Sequence, residues 1–376
     1  MTIRKGIRLS VPAFLLGVLA LFLLGGIGRA QQVKTLPPPP PPPIYKPKPT
    51  PTPTPYVEDP RDVVRITSNL VMVPVSVVDD KGQPVRGLQL GDFHLEEASQ
   101  AQQIAEIGDP EQIPLDITLL FDISSSTSQK GFFEFQQKAA ASFLRQVLKP
   151  VDRAAVFTIG EEPLLVAPLA PAESAAATLL KIPAATAPVP TAFYDTVNAA
   201  AKYLMTNSSS GRRRVIVVIT DGDDNYSRIV QDLTVAEARA SGKGEVTPAA
   251  ARARLQERHQ RAVLEAQRVV QQADAAFYSI NPGGPSVHLN QISMRAELGM
   301  ESIANATGGT AFLPASDKDL ERVFNEVAAE LRGQYLLQYY STSQLPSGQF
   351  RPITVAVPNR PEVRVRARQG YYPKNK

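Results

Sequence analysis

The chain contains no cysteine. That excludes disulfides, thiolate metal centres and a lipid anchor on cysteine, so core packing or a metal held by other atoms must stabilise it. An excess of charge is also missing. The formal net charge is +4, yet Arg4, Lys5, Arg8 and Arg29 all lie in residues 1–30, where there is no acid. Beyond that segment the balance is close to zero, which removes the electrostatic basis for a nucleic-acid partner. The run Arg212, Arg213, Arg214 and the arginines at 252, 254, 258, 261 and 268 then read as solvated faces, with Glu257 and Glu265 offsetting part of the charge. The strained serine turn of hydrolases, G-x-S-x-G, is absent as well.

What is present begins with an export signal. A basic head is followed by the apolar run Val11 to Ile27 and by the small residues Gly28-Arg29-Ala30, which predicts a signal peptide over 1–30. An uncleaved membrane anchor is the alternative, because the run approaches spanning length. Proline is abundant, at 34 residues, and it is concentrated in a spacer over 31–60. Such a sequence is extended and semi-rigid at about 3.1 Å per residue.

Beyond the spacer the 376-residue chain has room for two domains. Residues 61–113 carry a strand pattern from Val71 to Val78, a turn at Asp79–Gly82 and a short strand at Phe93–Glu96. Residues 334–376 supply further strands, QYLLQYYS, FRPITVAVP and EVRVRARQGYY. The two flanks together, 61–113 and 334–373, are expected to form one small β domain. Between them, 114–333 alternates strands and helices. The strands are Leu115–Ile123, Arg153–Gly160, Arg213–Gly222 and Ala275–Asn281. The helices span 132–147, 193–205, 248–272 and 317–331. This alternation predicts an α/β fold, a Rossmann-like doubly wound and mostly parallel sheet inserted between strands of the small β domain.

Ligands in such sheets bind at the carboxyl ends of strands. Two of those ends are polar. LLFDISSS ends in Asp122, Ser124 and Ser126, and VVITDG ends in Asp221. A third segment, VPTAFYDTV, sets Thr191 just ahead of a helix. Two carboxylates and three hydroxyls form an all-oxygen set suited to a hard cation such as Mg²⁺ or Mn²⁺. Each has a plainer reading: Ser124 or Ser126 as a helix N-cap, and Asp221 as a turn residue before Gly222. Asp223 and Asp224 read as neighbours or solvated groups outside the ligand set.

D-I-S-S-S, the later threonine and T-D-G resemble, in that order, the three motif elements of von Willebrand factor type A domains, which include integrin I domains. The flanking V-x-V-V-D-x-x-G-x-x-V-x-G-L and R-x-G-Y-Y are similar to those of bacterial exported relatives. The resemblance implies a metal-ion-dependent adhesion site. Ser124, Ser126 and Thr191 would be hydroxyl ligands, with Asp122 and Asp221 reaching the ion directly or through water. The ion would be Mg²⁺, with Mn²⁺ or Ca²⁺ as alternatives. The implied function is non-enzymatic: capture of an Asp or Glu side chain of a protein partner by an exported chain, whether periplasmic, cell-surface or secreted, and open to a membrane tether through its first segment. Oligomeric state is open. The lead-in Pro188-Val189-Pro190 departs from the family's glycines and predicts a stiffer loop before Thr191. Two alternatives stand beside this reading. One is a scaffold whose metal site is not functional. The other is a serine hydrolase using Ser124, Asp221 and His259 or His288. The segment Ser227–Thr247 is expected to rim the site.

Overall fold

A strand of eight residues, all buried, lies at the middle of the larger sheet: Leu115–Asp122 (β5). Apolar side chains on both of its faces allow helices to cover both sides, the condition for a buried parallel strand. The computed structural model describes residues 70–124, 133–231, 248–284, 291–316 and 319–373. The predicted leader and spacer, Ser126, His288 and most of the predicted rim lie outside them. Among the described residues no helix is long and apolar enough to cross a membrane.

β5 pairs in parallel with Arg153–Ile159 (β6) on one side and Arg213–Ile219 (β8) on the other. Ala275–Ile280 (β9) and the short Ala311–Phe312 (β10) continue beyond β8 in parallel. Leu164–Ala170 (β7) closes the other edge, antiparallel to β6. The order is β10-β9-β8-β5-β6-β7. The chain therefore builds outward from β5 in one direction, then returns to add β8 on the opposite side. The crevice between β5 and β8 is the topological switch point, where open α/β sheets place their ligands. Pro168 in β7 sits on an edge strand, the position in a sheet that tolerates a missing N–H donor.

Helices Phe133–Val147 (α1), Ala172–Leu179 (α2) and Leu320–Gly333 (α6) bury their apolar faces in one cluster with Ile117, Leu119 and Phe121 of β5. Helices Phe193–Asn207 (α3), Pro248–Gln272 (α4) and Gln291–Thr307 (α5) form the cluster on the opposite face, around Leu120, Ile216 and Val218. Alternate residues of β5 thus feed opposite cores, which is the physical content of a doubly wound sheet. β7, α2, α5 and β10 are additions to the elements expected from sequence.

Strands from the two ends of the chain pair with one another. Leu70–Val78 (β1) lies between Tyr335–Tyr340 (β11) and Arg364–Ala367 (β13), and Ile104–Gly108 (β4) completes that sheet. A second sheet pairs His94–Glu97 (β2) with Gln100–Ala101 (β3) and with Arg351–Ala356 (β12), which also holds Gly370–Tyr371 (β14). Val73, Leu95, Tyr339 and Ile353 of both sheets share one apolar cluster.

The flank is joined to the larger sheet by buried polar groups. Glu330 on α6 accepts hydrogen bonds from Ser76 Oγ of β1 (2.9 Å), Tyr278 OH of β9 (3.2 Å) and Arg366 Nη2 of β13 (2.8 Å). A carboxylate this buried is tolerated because each neighbour donates to it.

The arginine run corrects the sequence reading. Arg213 and Arg214 are buried, and a solvated face does not describe them. Arg213 donates to Leu331 O and Gln334 Oε1, and Arg214 donates to Ala273 O and Ser208 O. Arg212 meets Asp116 Oδ1 at 2.8 Å, and Asp116 also holds Arg153. Arg258 on α4 is buried too. Planar guanidinium groups can knit carbonyl ends together, a role that composition does not reveal.

Candidate metal centre

Register places the first residues of the site. Phe121 of β5 lies opposite Ile219 of β8, so Asp122 and Thr220 emerge side by side at the strand ends. Thr220 Oγ1 donates to Asp122 Oδ2 at 2.5 Å and accepts the Gly222 N–H at 3.0 Å. The Ser124 N–H donates to Asp122 Oδ1 at 2.7 Å. Asp122 and Ser124 are both buried, and Asp221, the next residue after Thr220, is half-buried. The glycine that follows suits its backbone: Gly222 has φ +75°, a conformation that residues with a Cβ rarely adopt.

The charges of the two strand ends act on one another. Burial, and after it the negative charge of Asp221, pushes the Asp122 carboxyl up to about 6, against the pull of hydrogen bonds from Thr220 and Ser124. Asp223 is raised as well, by burial and then by Asp221, with Arg295 opposing. The charge of Asp221 is therefore felt at Asp122 across the switch point. A second negative charge disfavours ionisation of a buried carboxyl, and a cation beside both carboxylates removes that cost.

The Thr191 loop is fastened to the same place through its backbone. Thr191 N–H donates to Asn225 Oδ1 (2.9 Å), and Thr191 O accepts the N–H groups of Asn225 (3.1 Å) and Tyr226 (3.0 Å). The Ala192 N–H reaches Gly160 O at the end of β6 (2.8 Å). Thr191 itself is buried. The stiff lead-in thus ends in a loop bolted to the turn that follows Asp221.

Asp224 secures this arrangement. Its Oδ2 accepts the Tyr194 N–H (2.8 Å) in the first turn of α3 and the Ser227 hydroxyl (2.6 Å). Its Oδ1 accepts the Ser227 N–H (2.9 Å) and the Tyr226 N–H (3.2 Å). It is buried, and burial raises its carboxyl above the ordinary value against those four donors. From sequence, Asp224 reads as a neighbour of the ligand set or a solvated group. It is not solvated: it caps a helix from a distant loop, taking up the Tyr194 N–H at the positive end of α3. The clustered acids Asp221, Asp223 and Asp224 were the available signal, and only tertiary packing tells them apart.

Four of the five sequence-predicted ligands, Asp122, Ser124, Thr191 and Asp221, lie on these joined strand ends and loops, and Ser126 falls outside the described residues. Among the described residues no group of three or more His, Asp or Glu side chains is arranged to hold a metal ion. An ion here would have to take hydroxyl oxygens besides Asp122 and Asp221. His259, weighed as a hydrolase base, is buried on α4 with its ring 6.0 Å from that of Tyr194. Burial, then the Arg295 charge, lowers it to about 4.

Comparison with known proteins identifies a domain in the middle of the chain. Residues 116–281, somewhat less than half of the chain, match the profile of the von Willebrand factor type A domain. The chain carries a von Willebrand factor type A domain. The match begins within β5 and ends just after β9, so it spans all three strand ends and loops described above.

No curated protein matches the sequence. Among solved structures, the type A fold is similar to an aerotolerance-related membrane protein from Bacteroides fragilis, at 16% identity and TM-score 0.38, covering 57% of this chain and 98% of that one. It is similar to a von Willebrand factor type A protein from Catenulispora acidiphila, at 13% identity and TM-score 0.42, covering 82% and 64%. Proximal thread matrix protein 1 from the mussel byssus, described with a zinc-occupied MIDAS motif, aligns at 14% identity and TM-score 0.38, covering 59% and 46%.

Proposed function

We propose that the type A domain is a metal-dependent protein-capture module of an exported chain, and that it is not an enzyme. The observation that carries this reading is the pair Asp122 and Asp221, one buried and one half-buried, whose charges meet at the switch point between β5 and β8. The donor set fits a hard divalent cation: two carboxylates, with the hydroxyls of Ser124 and Thr191 and that of Ser126, which lies in the same serine-rich segment. Mg²⁺ is the first candidate, with Mn²⁺ and Ca²⁺ as alternatives.

The ion would supply Lewis acidity toward one further oxygen ligand. The chain's own residues set how strong that is. Asp122 is held by Ser124 and Thr220, and the hydroxyl donors are neutral, so few negative charges quench the ion. An Asp or Glu side chain of a protein partner completes such a set better than a neutral group, because it restores the missing charge. The basic head, apolar run and small-residue site of 1–30 support export, to the periplasm, the cell surface or the medium, with a membrane tether if that segment is retained.

The test is calorimetric titration of the purified chain with Mg²⁺, Mn²⁺ and Ca²⁺, beside Asp122→Ala, followed by capture of envelope proteins with and without chelator. The expected result is saturable metal binding, lost in Asp122→Ala, and capture that chelator abolishes. Metal binding that survives Asp122→Ala, or its absence from the wild-type chain, would leave a scaffold with a non-functional site.

A further inference from the structure

Thr191 reaches the candidate metal centre from a loop, and that loop is held from three directions. Upstream, Pro188 and Pro190 each fix a backbone angle. Between them Val189 packs on the end of β6, its Cγ1 3.4 Å from where a Cβ would stand at Gly160. Ile123 Cδ1 lies 3.6 Å from the same point. Downstream, the Ala192 N–H is bonded to Gly160 O at 2.8 Å. The loop and the residue after Asp122 thus rest on one glycine.

The third hold comes from the turn after Asp221. Asn225 Oδ1 accepts the Thr191 N–H at 2.9 Å, and Thr191 O accepts the N–H groups of Asn225 and Tyr226. The same tyrosine reaches across to β6: its hydroxyl donates to Glu161 Oε1 at 2.8 Å, and Glu161 follows Gly160. A ring is closed in this way, from Gly160 to Ala192, through Thr191 to Tyr226, and back through Glu161. Its side-chain members, Asn225, Tyr226 and Glu161, lie outside the set of candidate ligands.

Asp122 is fixed as well, with Oδ1 on the Ser124 N–H and Oδ2 on the Thr220 hydroxyl. Ca²⁺ takes six to eight oxygens at about 2.3–2.6 Å, often with both oxygens of one carboxylate, whereas Mg²⁺ requires a near-ideal octahedron at about 2.0–2.1 Å. A loop that resists retreat, and a carboxylate whose two oxygens already accept hydrogen bonds, work against the larger and looser shell.

We propose that Asn225 and the Tyr226–Glu161 pair are positioning residues that make the site select Mg²⁺ over Ca²⁺ by holding the Thr191 loop stiff. The inference rests on the metal-centre reading of Asp122, Ser124, Thr191 and Asp221, and adds to it the residues that decide which ion is taken. It also gives the proline lead-in a role. Glycines there would let the hydroxyl follow a larger ion, and Pro188 and Pro190 do not.

The experiment is calorimetric titration of the full chain with Mg²⁺ and, separately, with Ca²⁺. It is run on the wild type, Asn225→Ala, Tyr226→Phe and Pro190→Gly, with urea melts of each in chelator. The wild type is expected to bind Mg²⁺ about tenfold or more tightly than Ca²⁺. Asn225→Ala and Pro190→Gly should narrow that ratio roughly threefold or more, by weakening Mg²⁺ more than Ca²⁺. Tyr226→Phe should narrow it by less, since its bond to Glu161 is exposed. A residue that only supports the fold changes the melt, or both affinities alike, and leaves the ratio where it was. Similar affinity of the wild type for both ions overturns the inference and leaves the metal centre standing. So does a ratio that Asn225→Ala and Pro190→Gly leave unchanged. A wild type that binds neither ion overturns the metal-centre reading, and this inference with it.

Discussion

Replacing Asp122 by Asn should make the metal-free protein more stable while removing its response to metal. The Asp122 carboxyl stands at about 6 instead of its ordinary 3.8. At 1.36 kcal/mol per unit, the ionised group costs the cation-free folded state about 3 kcal/mol at pH 7. Asparagine removes that charge and keeps the geometry. Its Oδ1 can still accept the Ser124 N–H, and its Nδ2 can donate to Thr220 Oγ1, which turns its own proton away. The sign in pH follows. A folded value raised above the unfolded one gives stability that is complete below about pH 4 and is lost as pH rises through about 6. Chelated wild-type protein should therefore weaken between pH 4 and pH 7 more than Asp122→Asn does. On the proposed reading, Mg²⁺ at a hundredfold excess over Kd should return about 3 kcal/mol to the wild type, and nothing to the variant. Urea melts at pH 5 and pH 7, with and without metal, measure all of this. If metal-free Asp122→Asn unfolds at lower urea than the wild type at pH 7, the carboxylate is not strained by burial and the reasoning fails.

Asp224→Ala should cost roughly 2–4 kcal/mol in the same melts, since it strands buried N–H donors of α3 and of the 224–227 turn. It should also weaken Mg²⁺ binding severalfold by loosening the Thr191 loop, and unchanged affinity would show that Asp224 serves the fold alone. Glu330→Ala should cost about 3–5 kcal/mol, because Arg366 is left without its buried partner; a loss under 1 kcal/mol would mean that the joint between flank and sheet is held by apolar contacts. Burial pushes Asp116 up, but its hydrogen bonds, those from Arg153 among them, and the Arg212 charge outweigh it, and the carboxyl stands below its ordinary value. Its contribution is present above about pH 4 and is lost as pH falls through the folded value. In Asp116→Asn that part of the acid unfolding curve should flatten.

The strands and helices legible in the sequence were those with an uninterrupted pattern. β5, β8 and β9 are dense apolar runs, and α1 and α3 carry periodic aromatic and aliphatic residues. β7 was hidden by Pro168 and by its place at an edge. α5 was hidden because its buried stripe is Ala296, Met300, Ile303 and Ala304 around Gly299, small residues that mark helix contact more than helix periodicity. At the candidate site, Asp122, Ser124 and Asp221 stand out in sequence as polar residues at strand ends, and Thr191 as a hydroxyl just ahead of a helix. Asp224 does not, since its four donors come from a loop and from a helix 30 residues upstream. The arginine run misled for a related reason: charge in a sequence says nothing of whether carbonyl oxygens wait to receive it.

The pairing of β1 with β13 has a mechanical meaning. In their antiparallel ladder Val75 faces Ala367 and Val78 faces Arg364, so Leu70 and the segment after Ala367 leave from the same end. Tension applied there would peel the ladder rung by rung, the weakest direction in which to load a sheet. Under tension between those two points the flank would yield first, while β5 and β8 lie out of the line of force.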